Sequence, residues 1–331
     1  MKNDYAPFIA SLPTYFTPCE TRILSNDKAI TFEEYCEIDA LNASVLKKPT
    51  PAHMLHTITE DEDEEEKLHF KIGRLVHMAA LEPEQFYGHV LKLPSDAPKK
   101  PTKAQVNAKR PSVETIENID WWERFRAESE GRTVVKEDEL DSIEQMRDAL
   151  LRHHQIREML QCASRKEATI EVWDEEMQIR RKARYDLLPG AGADFLLDIK
   201  TTRKELDMNA IKYEILGRGY HLQAQYYIDT LNLASNDKRK RFYFPFVKSS
   251  PPYVARLAWV DAKDPGEDSP LAKAKALLYA SDVGPNSPLP LGRMPMFINA
   301  ARECLRRICE NHADPMGAWE AYEFEGPQLV Y

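Results

Sequence analysis

The sequence predicts an α/β fold in which a central mixed sheet is flanked by helices, and three stretches predict it. From Met177 to Asp186 the chain alternates Ile179, Arg181, Ala183 and Tyr185 with Gln178, Arg180, Lys182, Arg184 and Asp186, the period-2 pattern of a strand. Phe195-Leu196-Leu197 opens a second apolar run, continuing through Asp198-Ile199-Lys200, of the kind a buried strand carries. Leu187 to Gly192 between them is rich in turn formers, so a hairpin is the simplest connection. Beyond them Tyr220, Gln223, Ala224, Tyr227 and Leu231 recur at one-face helical spacing, as a helix packing back on the sheet requires.

From the N-terminus, residues 1 to 38 hold aromatics and prolines without a period and read as an irregular arm packed on the body. Leu41 to Lys48 starts a helix that Asn42 or Ser44 can cap. Glu60 to Glu66 is an unbroken run of carboxylates, read as a solvated linker, with a DNA-mimicking flap over a basic channel as the alternative. Phe70 to Leu81 is amphipathic, with Ile72, Leu75, Val76 and Ala79 inward and His77 on the border. A Lys- and Pro-rich loop runs from Pro94 to Pro111, an exposed helix spans Trp121 and Trp122, and a longer one is expected from Leu140 to Leu160. A helical segment from Met208 to Leu216 precedes the Tyr220 helix, and Arg241 to Val247 with Tyr253 to Val260 form a closing hairpin. Leu271 to Tyr279 and Phe297 to His312 are two further helices. In the last, Phe297, Ala301, Cys304, Leu305 and Ile308 make an apolar stripe for its own subunit or a neighbour. The division that follows is an arm, initial helix and acidic linker over 1–66, a core over 67–262 and a C-terminal helical appendage over 263–331.

At 331 residues, 43% hydrophobic and 30% charged, the chain is long enough for a large core. It has no run of about 20 apolar residues to cross a bilayer and no apolar signal core at its start, so no membrane partner and a cytoplasmic location are expected. Five scattered cysteines argue against a disulfide framework, and Cys304 and Cys309 do not share a helix face as cluster ligands would. A phosphate-binding loop, a Ser-His-Asp elbow and a zinc-finger pattern are all absent. The net charge of -9 comes mostly from the acidic run. Basic density persists at Lys99, Lys100, Lys103, Lys109 and Arg110, at Arg180, Lys182 and Arg184, and from Lys238 to Arg241, all candidate phosphate contacts.

The chemistry gathers at Asp198 and Lys200. Residues two apart on a strand share a face, and an acid beside a base at the end of an apolar strand is costly to bury unless the two act together or on a ligand. A hairpin brings Asp186 to the same place. Two carboxylates and a lysine in one spot suit divalent-metal phosphodiester hydrolysis: hard cations take carboxylate, water and phosphate oxygens, and the lysine positions or deprotonates the attacking water or steadies the developing charge. For Asp-x-Lys alone, a solvated ion pair on an edge strand is the plainer alternative.

Asp186, followed by Asp198-Ile199-Lys200-Thr201-Thr202, resembles the PD-(D/E)xK nuclease signature in the form seen in RecE-like and RecB-family exonucleases. In the expected order, Gly73 to His77 is similar to that family's Gly-x-x-x-His helix, Lys166-Glu167-Ala168-Thr169 to its first-strand glutamate, and Tyr220 to Tyr227 to its Tyr-x-x-Gln-x-x-x-Tyr helix. Leu41 to Lys48 resembles its initial helix, with Asn42 in the first serine position. Tyr185 stands where the family often has proline, and Glu171 competes with Glu167 as the glutamate. The resemblance implies a restriction-endonuclease-like fold. It implies that Asp186 and Asp198, the Ile199 carbonyl, and further His77 and Glu167 hold one or two Mg²⁺, with Mn²⁺ as a substitute. Lys200 then acts on water, and Gln223 and Tyr227 brace the site or touch the strand. Apart from the resemblance, a hydroxyl and a following lysine at a helix start make Ser44 with Lys47 a ready seat for a 5′ phosphate, with an ordinary capped helix as the alternative. The activity implied is 5′ to 3′ exonucleolysis of linear double-stranded DNA leaving 3′ overhangs, in a phage or prophage setting. The protein would form a homo-oligomeric ring and work with a single-strand annealing protein. A structure-specific endonuclease is the alternative on the same scaffold, and a non-catalytic DNA-binding scaffold protein the alternative outside it.

Overall fold

The computed structural model describes residues 12–25, 28–48, 54, 57, 68–190, 192–235, 239–261, 298, 301, 302, 305 and 306. The acidic run, Lys238 and most of the expected C-terminal helices lie outside these residues.

The scaffold is a long antiparallel ribbon, β4 (Ala163–Asp174) against β5 (Ile179–Pro189). Its turn is held by Asp174, whose Oδ1 accepts the Met177 amide at 2.9 Å, and by Gln178 at φ 52°. β1 (Arg22–Leu24) pairs antiparallel with β4, and β6 (Phe195–Leu197) pairs antiparallel with β5. β6 and β7 (Lys200–Thr202) both run parallel along one edge of β8 (Arg241–Lys248), while β9 (Ala255–Asp261) lies antiparallel on its other edge. The sheet is therefore mixed, as expected, and the Leu187–Leu197 pairing brings Asp186 beside Asp198. Leu187 to Pro189 belong to β5, so the turn is shorter than their composition predicts.

The run from Phe195 to Lys200 is not one strand. Its register on β8 is unbroken, Leu197 opposite Tyr243 and Lys200 opposite Phe246, and Asp198 still donates its amide to the Tyr243 carbonyl at 3.1 Å, yet Ile199 leaves the ladder. The Ile199 amide donates instead to Asp186 Oδ2 at 2.9 Å, so a side chain takes the bond that the ladder gives up.

Ten α-helices are defined among the described residues: α1 (Phe32–Cys36), α2 (Ala43–Leu46), α3 (Leu68–Leu81), α4 (Pro83–His89), α5 (Lys103–Val106), α6 (Val113–Glu128), α7 (Glu137–Arg152), α8 (His154–Gln161), α9 (Met208–Gly217) and α10 (Tyr220–Ala234). Two apolar clusters bury the two faces of the sheet. One joins Leu41, Leu46, Ile215, Ala224, Tyr226 and Ile228 to Phe242, Phe244 and Phe246. The other joins Leu75, Val76, Ile143, Met146 and Leu150 to Leu197, Ile199 and Val247. Alternation along β8 sends its phenylalanines one way and Val247 the other.

Several expectations change. The arm is not irregular throughout, since it adds β1 to the sheet edge and buries Leu12 and Tyr15 in the core. The expected Leu140 to Leu160 helix is two, because His153 takes an extended conformation (ψ 111°) and its ring caps α8. α6 begins at Val113, well before the tryptophans, with Ser112 as its cap. A two-stranded parallel sheet, β2 (Val90–Lys92) with β3 (Thr133–Val135), leaves no period in the sequence because its strands are three residues long. Of the C-terminal stripe, Ala301 and Leu305 are described and are buried in this chain's own core together with Ile298.

Candidate active site

The break between β6 and β7 is where the site is built. Asp198 and Lys200 form an ion pair there, and Asp198, only 5% exposed, also accepts Gln223 Nε2 on its Oδ2 at 3.0 Å. Asp186 comes from β5, and His77 Nδ1 reaches its Oδ2 at 3.2 Å from α3. The β4–β5 register sets Lys166 against Leu187 and Ala168 against Tyr185, so Glu167 falls opposite Asp186. Glu167 has φ 47° and is held by Arg184 Nε at 3.0 Å. Tyr227 packs its ring 5.0 Å from that of Tyr185 on the same side of the sheet. His77, Glu167, Asp186, Lys200 and Tyr227 all line one cleft of about 2040 Å³.

Electrostatics here are dominated by burying like charges together. Burial, then the neighbouring Asp186, pushes Asp198 up to about 6, against the pull of Lys200. Burial and Asp186 likewise push Glu167 up to about 7. Burial also disfavours the Asp186 anion, but His77, Asp198 and Lys200 outweigh it and hold this carboxyl well below the usual range. His77 is the mirror image: burial disfavours its charge, Asp186 overcomes that, and the imidazolium persists to about 9. For Lys200, burial is again outweighed, here by Asp198 and Tyr220, and its pKa rises.

Carboxylates from Asp186, Asp198 and Glu167 with the Ile199 carbonyl are the oxygen donors a hard divalent ion takes, and such an ion would relieve their mutual repulsion. Among the described residues no three His, Cys, Asp or Glu side chains stand close enough to hold an ion as they are, with Asp186 engaged by His77 and Asp198 by Lys200.

The competition between glutamates has a physical answer. Glu171 is buried at the other end of β4, paired with Arg22 and with Arg180 at 3.2 Å, so Glu167 alone of the two lines the cleft. Of the cations expected to contact DNA, Arg180, Lys182 and Arg184 have protein partners, although Lys182 and Arg184 also line the cleft. Arg180 serves Glu171 and the Thr17 carbonyl at 3.1 Å, and Arg184 serves Glu167 and the Ile30 carbonyl at 2.9 Å. Lys182, 4% exposed, donates to the carbonyls of Tyr35, Cys36 and Ile38. All three tie the N-terminal arm to the sheet. Arg239 is a further cation of this kind, buried and donating to the Pro189 and Gly190 carbonyls at 3.1 and 3.0 Å.

The expected phosphate seat at the start of α2 is also taken. Asn42 Oδ1 accepts the Ser44 and Val45 amides at 2.9 and 3.2 Å, while Ser44 itself is exposed on the cleft wall. Lys47 turns inward, donating to Gln223 Oε1 at 3.3 Å, and burial and Lys200 lower its pKa to about 8. Sequence reasoning misses Tyr220 as a site residue, yet Lys200 lies 4.5 Å and Lys47 5.7 Å from its ring centroid. Its place three residues before Gln223 on the same stripe is the available signal.

A mixed sheet whose interrupted strand sets Asp198 and Lys200 beside Asp186 and Glu167 defines a PD-(D/E)xK-type nuclease domain with a restriction-endonuclease-like fold. The chain belongs to the family described as PDDEXK-like domain of unknown function (DUF3799), whose model matches residues 40–264. No curated protein matches it. A crystal structure described as a "Putative exonuclease" from Eubacterium rectale is similar over 81% of this chain and 86% of its own, at 11% identity and a TM-score of 0.45, a likeness too slight to transfer an activity. Members of the superfamily generally work with divalent metal ions, and no helix among the described residues is long and apolar enough to cross a membrane.

Proposed function

We propose that this nuclease is a divalent-metal-dependent exonuclease that degrades linear double-stranded DNA from its 5′ ends and leaves 3′ overhangs for strand annealing. The observation that carries the hydrolytic part is the meeting of Asp186, Glu167 and Lys200 on one cleft at the β6–β7 break, with Asp198 buried just behind and paired to Lys200. Asp186, Asp198, Glu167 and the Ile199 carbonyl would hold Mg²⁺ or Mn²⁺, with His77 as a further ligand or as the group orienting Asp186. When bound, the ion supplies Lewis acidity toward the phosphoryl oxygen and a more acidic water. Lys200 lines up the attacking water and offsets charge growing on the phosphate. Gln223 keeps Asp198 in place, and Tyr227 braces the helix behind it. Ser44 contacts the strand end from the cleft wall. Direction, the annealing partner and a homo-oligomeric ring around the duplex draw their support from the resemblance to RecE-like proteins.

The test is digestion of end-labelled linear duplex beside a covalently closed circle, with Mg²⁺, with Mn²⁺ and with chelator. Loss of the linear substrate from its 5′ ends, only with metal and with the circle untouched, is expected. Cutting of the circle at an equal rate transfers the site to a structure-specific endonuclease. Binding without cleavage in either metal transfers it to a non-catalytic scaffold. In gel filtration a ring elutes as a multiple of the 38.2 kDa chain.

A further inference from the structure

Lys47 and Gly219 have no place in the hydrolytic step, yet the structure joins them to it through contacts that need each other. Gln223 sits between two charged groups of opposite kind. Its Nε2 donates to Asp198 Oδ2 at 3.0 Å and its Oε1 accepts from Lys47 Nζ at 3.3 Å. An ammonium is a donor only and an ionised carboxylate an acceptor only, so this arrangement admits one orientation of the carboxamide. Asp198 pairs with Lys200, and both ammoniums lie against the Tyr220 ring, closing a ring of five side chains of which the catalytic carboxylate is one. The room for the lysine comes from Gly219. That residue has φ +63°, which favours glycine, and a Cβ built on it would stand 2.9 Å from Lys47 Cγ and 3.2 Å from Cδ. Those are mid-stem atoms pinned at both ends, so a side chain there displaces the whole lysine.

We propose that Lys47 is a positioning residue of the nuclease centre, gripping the carbonyl end of Gln223 so that its amide end stays on Asp198, and that Gly219 is required to let the lysine lie there. This rests on the reading of Asp198 as catalytic, and it moves Lys47 from the DNA to the protein's own machinery. Without Lys47 the carboxamide turns freely, and the support of Asp198 is present only part of the time.

The test is a double-mutant cycle on cleavage of linear duplex with Mg²⁺, with an activity-independent measurement on the same proteins. Lys47→Met and Gln223→Ala should each lower kcat by about 10 to 100-fold, the scale of lost outer-shell partners, with KM unmoved. The double variant should be no worse than the poorer single one, because both remove one support. Gly219→Ala should follow Lys47→Met. In the ¹⁵N-resolved spectrum, the Gln223 side-chain NH₂ signal, identified by its loss in Gln223→Ala, should shift in Lys47→Met and stay in place in Ser44→Ala. Additive losses in kcat, or a rise in KM with kcat intact, assign Lys47 to DNA and overturn the proposal. So does a Gln223 signal indifferent to Lys47→Met. If the wild-type protein cleaves nothing, the nuclease reading fails by itself, and the Gln223 signal still decides the contact.

Discussion

Two ends of one strand, Ile179–Pro189, bury charge in opposite ways. At its start Arg181 pairs with Asp174 at 2.9 Å, both almost wholly buried, and its guanidinium also donates to the Tyr226 carbonyl and lies 4.5 Å from that ring. Lys182 is solvated by three carbonyls in place of water. Every formal charge there has a protein partner that belongs to the fold. At the strand's other end Asp186 meets Asp198 and Glu167, and burial drives two of the three carboxyls toward neutrality. His77, Lys200 and Arg184 offset them. Isolated buried pairs hold a fold in one arrangement, whereas carboxyls crowded together beside a cleft stay partly frustrated, and an outside ion or substrate can relieve them.

The contrast breaks hardest at the end where the carboxyls crowd together. Asp198→Ala should leave a folded protein with no Mg²⁺-dependent cleavage. Lys200→Ala should still bind Mn²⁺, measured by loss of its free EPR signal, while kcat falls by roughly 10²–10³, the scale of one lost charge-stabilising group. Full activity in either folded variant ends the assignment of the site.

At the matched end the same kind of deletion should read out in stability. Arg181→Met strands the Asp174 carboxylate and should cost about 3–5 kcal/mol in urea unfolding, with turnover per folded molecule retained. Equal losses of activity from both ends would erase the distinction between them.

The smallest effect is on pH. Asp198, Glu167 and His77 all have folded-state pKa values raised above their ordinary ones, to about 6, 7 and 9. Between their ordinary and folded values the native state binds more protons than the unfolded chain, so the stability they contribute is present at low pH and lost as pH rises through those values. Asp186, lowered, contributes stability that is already present above the ordinary carboxylate range and stays constant across this window. The metal-free protein should therefore melt lower at pH 8.5 than at pH 6. Added Mg²⁺ should raise Tm more at pH 8.5, where the ligands are free of protons. A Tm that climbs with pH in chelator would contradict the account of the cluster.

Much of this is legible in the chain's local patterns. Alternation marks β5 and the closing hairpin, one-face spacing marks α3 and α10, and the order Glu167, Asp186, Asp198, Lys200, Gln223 marks the candidate centre. Such patterns report which face of its own element a side chain takes, and that is a local property of the backbone period. They are silent on what stands opposite. That Glu167 and not Glu171 meets Asp186 depends on the β4–β5 register. That Arg180, Lys182 and Arg184 bind the arm, leaving little of them for DNA, depends on where residues 17 to 38 return to the sheet. The interruption of the Phe195 to Lys200 run is set by Asp186 capturing the Ile199 amide across the sheet, and the inward turn of Lys47 by Gln223 and a bare Gly219, 172 positions further along the chain. By itself the sequence determined which residues carry charge and on which face. Only tertiary structure decided how those charges are paired, because a charge's partner is chosen by contacts between segments far apart in the chain, and no local period encodes them.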